Sequence, residues 1–109
     1  MSDEFSIVMT TFPDRESARI VAKLLIEKRL AAGVQMLPIE SIYVWKDNIC
    51  DEDELLVLII TKVALFDGIK ALIRETHSYE VPEMIQIPIT NGMSGYMQWI
   101  HECTLHEEA

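Results

Sequence analysis

Val34-Gln35-Met36-Leu37 and Ser41-Ile42-Tyr43-Val44-Trp45, parted by Pro38, lead into Lys46-Asp47-Asn48. The chain then returns through the apolar run Leu55-Leu56-Val57-Leu58-Ile59-Ile60 to Thr61-Lys62. β-Branched and aromatic residues mark both arms as strands, and Asp and Asn tolerate the left-handed backbone of a tight turn. The stretch therefore predicts a long hairpin. Its first arm is expected to bulge near Pro38, which has no N–H to give to a ladder.

Outward from the hairpin, Phe5-Ser6-Ile7-Val8-Met9-Thr10-Thr11-Phe12, stopped by Pro13, predicts a largely buried first strand. Asp14 is placed to cap a helix reaching to about Leu30. Ala18, Val21, Ala22 and Leu25 face inward at spacings of three and four, and Arg15, Arg19, Lys23 and Glu27 form the wet stripe. Ala31-Ala32-Gly33 ends that helix. Residues 63–76 have helical spacing, with Leu65, Ile69, Leu72 and Ile73 inward and Asp67, Lys70, Arg74 and Glu75 outward. His77-Ser78-Tyr79-Glu80-Val81-Pro82-Glu83 breaks the pattern, and residues 84–89 form a short strand flanked by Pro82 and Pro88. Asn91-Gly92 turns the chain into a last helix over about 94–105, carrying Tyr96, Trp99 and Ile100. The order β-α-β-β-α-β plus a terminal helix is the α+β, ferredoxin-like split βαβ arrangement: a four-stranded antiparallel sheet with two helices on one face.

Size and charge bound the function. One hundred and nine residues make a single domain, 1–109, and half of them are apolar, enough to offset chain entropy. Eighteen acidic against nine basic residues give a net charge of −9, a field that repels phosphate and leaves cations and basic partners as candidates, not nucleic acid. Cys50 and Cys103 lie far apart without a CxxC spacing and read as reduced thiols of a cytoplasmic protein. Met1-Ser2-Asp3-Glu4 is acidic where a leader is basic, and the longest apolar run is too short to span a bilayer, so no membrane association is expected.

Several constellations can carry chemistry. His77 with Tyr79, Glu80 and Glu83 offers imidazole and carboxylate donors for a borderline divalent ion. The plainer reading has His77 capping the preceding helix and the carboxylates solvated. Asp51-Glu52-Asp53-Glu54 lacks the alternation and glycine of a calcium loop and reads as solvated charge or edge protection. Tyr43, Trp45, Tyr96 and Trp99 either fill core and interface or line a cleft between subunits. His101 and His106, five apart, do not share a helix face and read as surface residues. With no GxSxG, Walker A, GxGxxG or HExxH motif, no catalytic residue is assigned and the chain is not expected to be an enzyme.

Five stretches together resemble the CutA divalent-cation tolerance family: Thr11-Phe12-Pro13-Asp14, Leu30-Ala31-Ala32-Gly33-Val34, Ser41-Ile42-Tyr43-Val44-Trp45, the loop from His77 to Glu83, and Gly95-Tyr96-Met97-Gln98-Trp99-Ile100. The resemblance covers nearly the whole chain. It implies a homotrimer of PII-like architecture, in which hairpins pair between subunits and the terminal helix packs across an interface. It also implies a role in tolerance to divalent metals, notably copper, with no required cofactor. Gly33 and Thr10 stand where many members and some copper-linked members, respectively, have cysteine, and Thr76 precedes His77 where some have a His pair. Losing thiolates shifts preference from Cu(I) to Cu(II) or another divalent cation, bound by His77 with Glu80 or Glu83. The alternative is a PII-like sensor holding a small metabolite or anion in an interface cleft lined by Tyr43, Trp45, Lys62, His77, Tyr79 and Trp99.

Overall fold

The fold was obtained as a computed structural model and is described for residues 4–106; the N-terminal residues 1–3, read above as unlike a leader, lie outside the described residues. β1 (Phe5–Phe12) is followed by α1 (Arg15–Glu27), β2 (Gly33–Trp45) and β3 (Asn48–Lys62). A short 3-10 turn (Val63–Leu65) then leads into α2 (Phe66–Thr76), β4 (Met84–Ile89) and α3 (Ser94–Cys103). The four strands form one antiparallel sheet in the order β2-β3-β1-β4. This is the ferredoxin-like arrangement that the order of elements implies.

Local chemistry explains most boundaries. The Asp14 carboxylate accepts the Ser17 N–H at 2.8 Å, which caps α1 and holds the Asp14 carboxyl below its ordinary pKa. α1 stops at Glu27, three residues before the expected end. Arg29 takes φ 59°, the Arg29 N–H donates to the Ile26 carbonyl and the Leu30 N–H to the Leu25 carbonyl. That pair of bonds satisfies the last helix carbonyls, with an arginine at the position where glycine is usual. The hairpin turn has Lys46 at φ 52° and Asp47 at φ 66°, the two left-handed residues of a type I′ turn that matches strand twist.

The expected bulge at Pro38 is absent. β2 and β3 stay in one unbroken register from Gly33↔Ile60 through Pro38↔Leu55 to Trp45↔Asn48. A two-residue turn closes on a hydrogen-bonded pair, and such pairs alternate. Counting from Trp45↔Asn48, Pro38 falls where the backbone nitrogen points away from β3, on an edge strand, so its missing N–H costs the ladder nothing.

The core lies between the sheet and helices α1 and α2. Val8, Phe12, Val57 and Ile59 of the sheet meet Ala18, Val21, Leu25, Ile69 and Ile73. The inward residues named from helical spacing are buried, apart from half-buried Leu65. On the opposite sheet face α3 covers one end, where Trp99 sits over Gly33, whose missing side chain leaves room for the indole; a Cβ there lies 3.2 Å from the ring. The middle of that face, including Leu37, Ile85 and Ile87, is uncovered in one chain. The β2–β3 hairpin runs beyond the end of β1, which is paired only as far as Phe12↔Leu55, so residues 39–54 form a projecting arm. Principal extents of 46 × 26 × 21 Å and a radius of gyration of 14.7 Å, against about 13 Å for a compact chain of this length, record the projection.

Candidate functional site

The base of the arm and the loop after α2 enclose a cleft of about 680 Å³. One wall is sheet: residues of β2 and β3 alternate faces, so Tyr43, Trp45, Cys50, Glu52 and Glu54 project to one side while Asp51 and Asp53 turn to the other. The other wall is the loop carrying Tyr79, Glu80, Val81, Pro82 and Glu83. Five glutamates line the cleft (Glu40, Glu52, Glu54, Glu80, Glu83), and no lining residue is basic.

The two tyrosines are fixed by two of those carboxylates. The Tyr43 hydroxyl donates to Glu52 Oε1 at 2.5 Å, and the Tyr79 hydroxyl donates to Glu54 Oε2 at 2.7 Å. The Glu52 bond pushes the Tyr43 phenol pKa well up. Burial first, then the Glu54 bond, does the same to Tyr79. Both phenols therefore stay neutral far above pH 7. Glu54 is only 8% exposed, which corrects the reading of the acidic run as solvated charge at that residue, while Asp51, Glu52 and Asp53 are exposed as expected. The run's own alternation opposite Tyr43 was the signal that separates Glu52 and Glu54 from Asp51 and Asp53.

His77 caps α2 with its backbone, its N–H donating to the Ile73 carbonyl, but its ring turns inward. The ring stacks on Phe12 at 4.3 Å, its Nε2 is bonded to the Thr11 carbonyl, and its Nδ1 accepts the Tyr79 N–H at 3.1 Å. A carbonyl only accepts and an N–H only donates, so this is the neutral ring with its proton on Nε2. Glu80 pairs with Lys46 Nζ at 3.5 Å, an exposed contact between loop and turn, and Glu83 lies on the cleft rim. Among the described residues no three His, Cys, Asp or Glu side chains converge as a metal site. Cys50 and Cys103 are free thiols.

Not every residue assigned to the cleft from sequence is near it in one chain. Lys62 is 5% exposed and donates to the Leu105 carbonyl at 3.1 Å, and Trp99 packs at the same end of the sheet. Along β3 the twelve residue steps from Cys50, opposite Tyr43, to Lys62 span about 40 Å. Tyr43, Trp45 and Tyr79 share the cleft; Lys62 and Trp99 belong to the docking of α3. His101 and His106 also depart from expectation, since their rings stack at 4.4 Å. α3 ends at Cys103, and the extended backbone of Thr104 folds His106 back onto the helix end, where its Nε2 meets the His101 carbonyl at 2.9 Å.

The family model for the CutA1 divalent ion tolerance protein matches residues 6–103. The divalent-cation tolerance protein CutA of Thermus thermophilus is 39% identical over 99 residues, 90% of this chain and 96% of that one. Protein CutA of Mus musculus is 38% identical over 100 residues, 91% of this chain but 56% of the mouse protein. CutA1 from Oryza sativa superposes with a TM-score of 0.92 at 32% identity, covering 97% of this chain and 98% of that one. CutA1 from Shewanella sp. SIB1 gives 0.89 at 38%, covering 95% and 98%. Relatives are described as chloroplastic in Arabidopsis thaliana and periplasmic in Archaeoglobus fulgidus. No helix among the described residues here is long and apolar enough to cross a membrane. Sequence and fold agree over the same residues, and the chain belongs to the CutA1 divalent ion tolerance protein family.

Proposed function

We propose that this chain acts in divalent-cation tolerance as a cytoplasmic homotrimer, by binding and not by catalysis. Its cleft takes up Cu(II)-class cations weakly, with Glu80 and Glu83 giving oxygens and His77 an imidazole. The observation that carries this reading is the cleft itself, five glutamates on two walls with no basic lining residue and only Lys46, the loose ion-pair partner of Glu80, at its edge. Among the described residues of one chain no three donors converge, so coordination is completed by water or by a second copy, and affinity is low. His77 must also release the Thr11 carbonyl or the Tyr79 N–H before it can ligate.

Assembly is supported by surface. The chain exposes 7314 Å², against about 6200 Å² for a monomer of its mass, and the surplus includes an uncovered apolar sheet face and the projecting arm. The second reading, a PII-like cleft for a small metabolite, is favoured by the cleft volume, which lies within the roughly 300–1,000 Å³ of small-molecule sites. An anion is a poor occupant among five carboxylates with Lys62 at the far end of the sheet.

Native mass spectrometry with sub-stoichiometric and then excess Cu(II) tests the proposal. The expected result is a trimer holding up to three ions, with occupancy lowered in His77→Ala and in Glu80→Gln/Glu83→Gln. A trimer that stays metal-free, or binds copper equally in all variants, overturns the copper site.

A further inference from the structure

A metal ion is a demanding occupant for this cleft, because it needs converging donors and the carboxylates here are spread over two walls. Aromatic side chains on those same walls, Tyr43 and Trp45 on the sheet and Tyr79 on the loop, suit a different kind of cation. Tyr43 and Tyr79 are held in place by their bonds to Glu52 and Glu54, which removes the rotamer entropy that binding would otherwise cost. Their neutral rings, with Trp45, present electron-rich faces of the kind that attract ammonium groups.

The chain already shows this recognition on itself. Lys46, at the turn, places its Nζ 5.5 Å from the centre of the Trp45 ring and 3.5 Å from Glu80 Oε1. Its side chain is 66% exposed and Glu80's is 70%, so the pairing is loose and exchangeable. An ammonium between an indole face and a loop carboxylate is the contact that an incoming amine would make.

We propose that the cleft binds a small aliphatic diamine, one ammonium taken between Trp45 and Glu80 in place of Lys46 and the other by the Glu52–Glu54 wall beside Tyr43. Two cationic ends follow from carboxylates on two walls, and a flexible methylene chain suits the apolar side chains that the same walls carry. The proposal deepens the cation reading of the same cleft and shares its site, but it needs neither a metal nor His77 as a donor.

Isothermal titration of the chelator-treated full chain with 1,5-diaminopentane is the test, so that its outcome is independent of copper binding. The diamine should bind at least tenfold more tightly than pentylamine, and 1,5-pentanediol should not bind. Trp45→Leu should weaken the diamine at least fivefold while keeping every charge. Lys46→Asn, which suits the left-handed turn position, should tighten it several-fold by removing the built-in rival. Lys28→Asn, an equal charge change just after α1 and away from the cleft, should shift it less than twofold. Binding of the diol comparable to the diamine, no effect of Trp45→Leu, or equal tightening by Lys46→Asn and Lys28→Asn overturns the proposal. Diamine binding with no copper binding keeps this inference and removes the metal site; the reverse removes this inference alone.

Discussion

The two halves of the β2–β3 hairpin share one register and one alternation, yet they live in different surroundings. In the half that lies under the helices, Val57 and Ile59 are 1% and 0% exposed; in the arm, Ile42, Val44 and Ile49 project on the same side of the sheet and are 71–80% exposed. The strand pattern is continuous across the boundary, and the covering layer is not: α1 and α2 pack only as far as β1 extends. Apolar alternation thus dictates which face a residue takes and says nothing about whether anything lies on that face. An exposed apolar strand pair of this length is an aggregation hazard unless a second chain covers it, which is why the arm supports assembly more strongly than any other part of the molecule.

The sharpest break of this contrast is in the covered half. Ile59→Ala removes a fully buried side chain between the Val8 and Val34 strands and leaves a cavity under the helices. The expected loss is about 2–4 kcal/mol, read as a lowered midpoint in urea or heat. A loss below about 1 kcal/mol means that the site collapses and the body is not the rigid half.

Much of the body was legible because each local signal agreed with the next. Phe5–Phe12 and Met84–Ile89 fall where Pro and turn residues bound the apolar runs, and Asp14 caps where it stands before the helical period. The misreadings share a cause, a backbone geometry that composition does not carry. The end of α1 is decided by an arginine in a conformation usual for glycine, and Pro38 is harmless because of the parity of its register. His106 meets His101 because the helix stops at Cys103. The site was half legible: Tyr43, Trp45, Tyr79, Glu80 and Glu83 share the cleft, but Glu52 and Glu54 were hidden in a run of four acids. Lys62, assigned from sequence to a cleft between subunits, donates within one chain to the Leu105 carbonyl.

At the junction of body and arm, Tyr79→Phe deletes the hydrogen bond to Glu54 and leaves a largely buried carboxylate with one partner fewer. The expected cost is about 1 kcal/mol at neutral pH. The pH dependence has a definite sign. The folded-state pKa of Tyr79 is raised, so its contribution is fully present below the ordinary tyrosine value of about 10 and is lost as pH rises through the folded value. Wild type and Tyr79→Phe should therefore converge in stability above about pH 10. A constant gap from pH 7 to 11 shows that the phenol's proton is not part of the contact.

The smallest effect on the protomer's own folding is expected in the arm. Ile42→Asp with Val44→Asp replaces two residues that are 72% and 71% exposed in one chain, on strand positions that neither α1 nor α2 reaches. Such surface changes alter the folding of a single chain by roughly 0.5 kcal/mol or less. If a second copy covers the arm, the same pair places two charges in an apolar interface, where unpaired burial is strongly unfavourable. Light scattering after size exclusion should then report single chains where the wild type is assembled, with far-UV circular dichroism unchanged. A double variant that keeps the wild-type mass shows that the arm is not part of the interface and shifts the burden of assembly to the uncovered sheet face around Ile85 and Ile87. A double variant that loses its circular dichroism shows that arm and body are one cooperative unit, and that their difference in exposure is a property of the isolated chain alone.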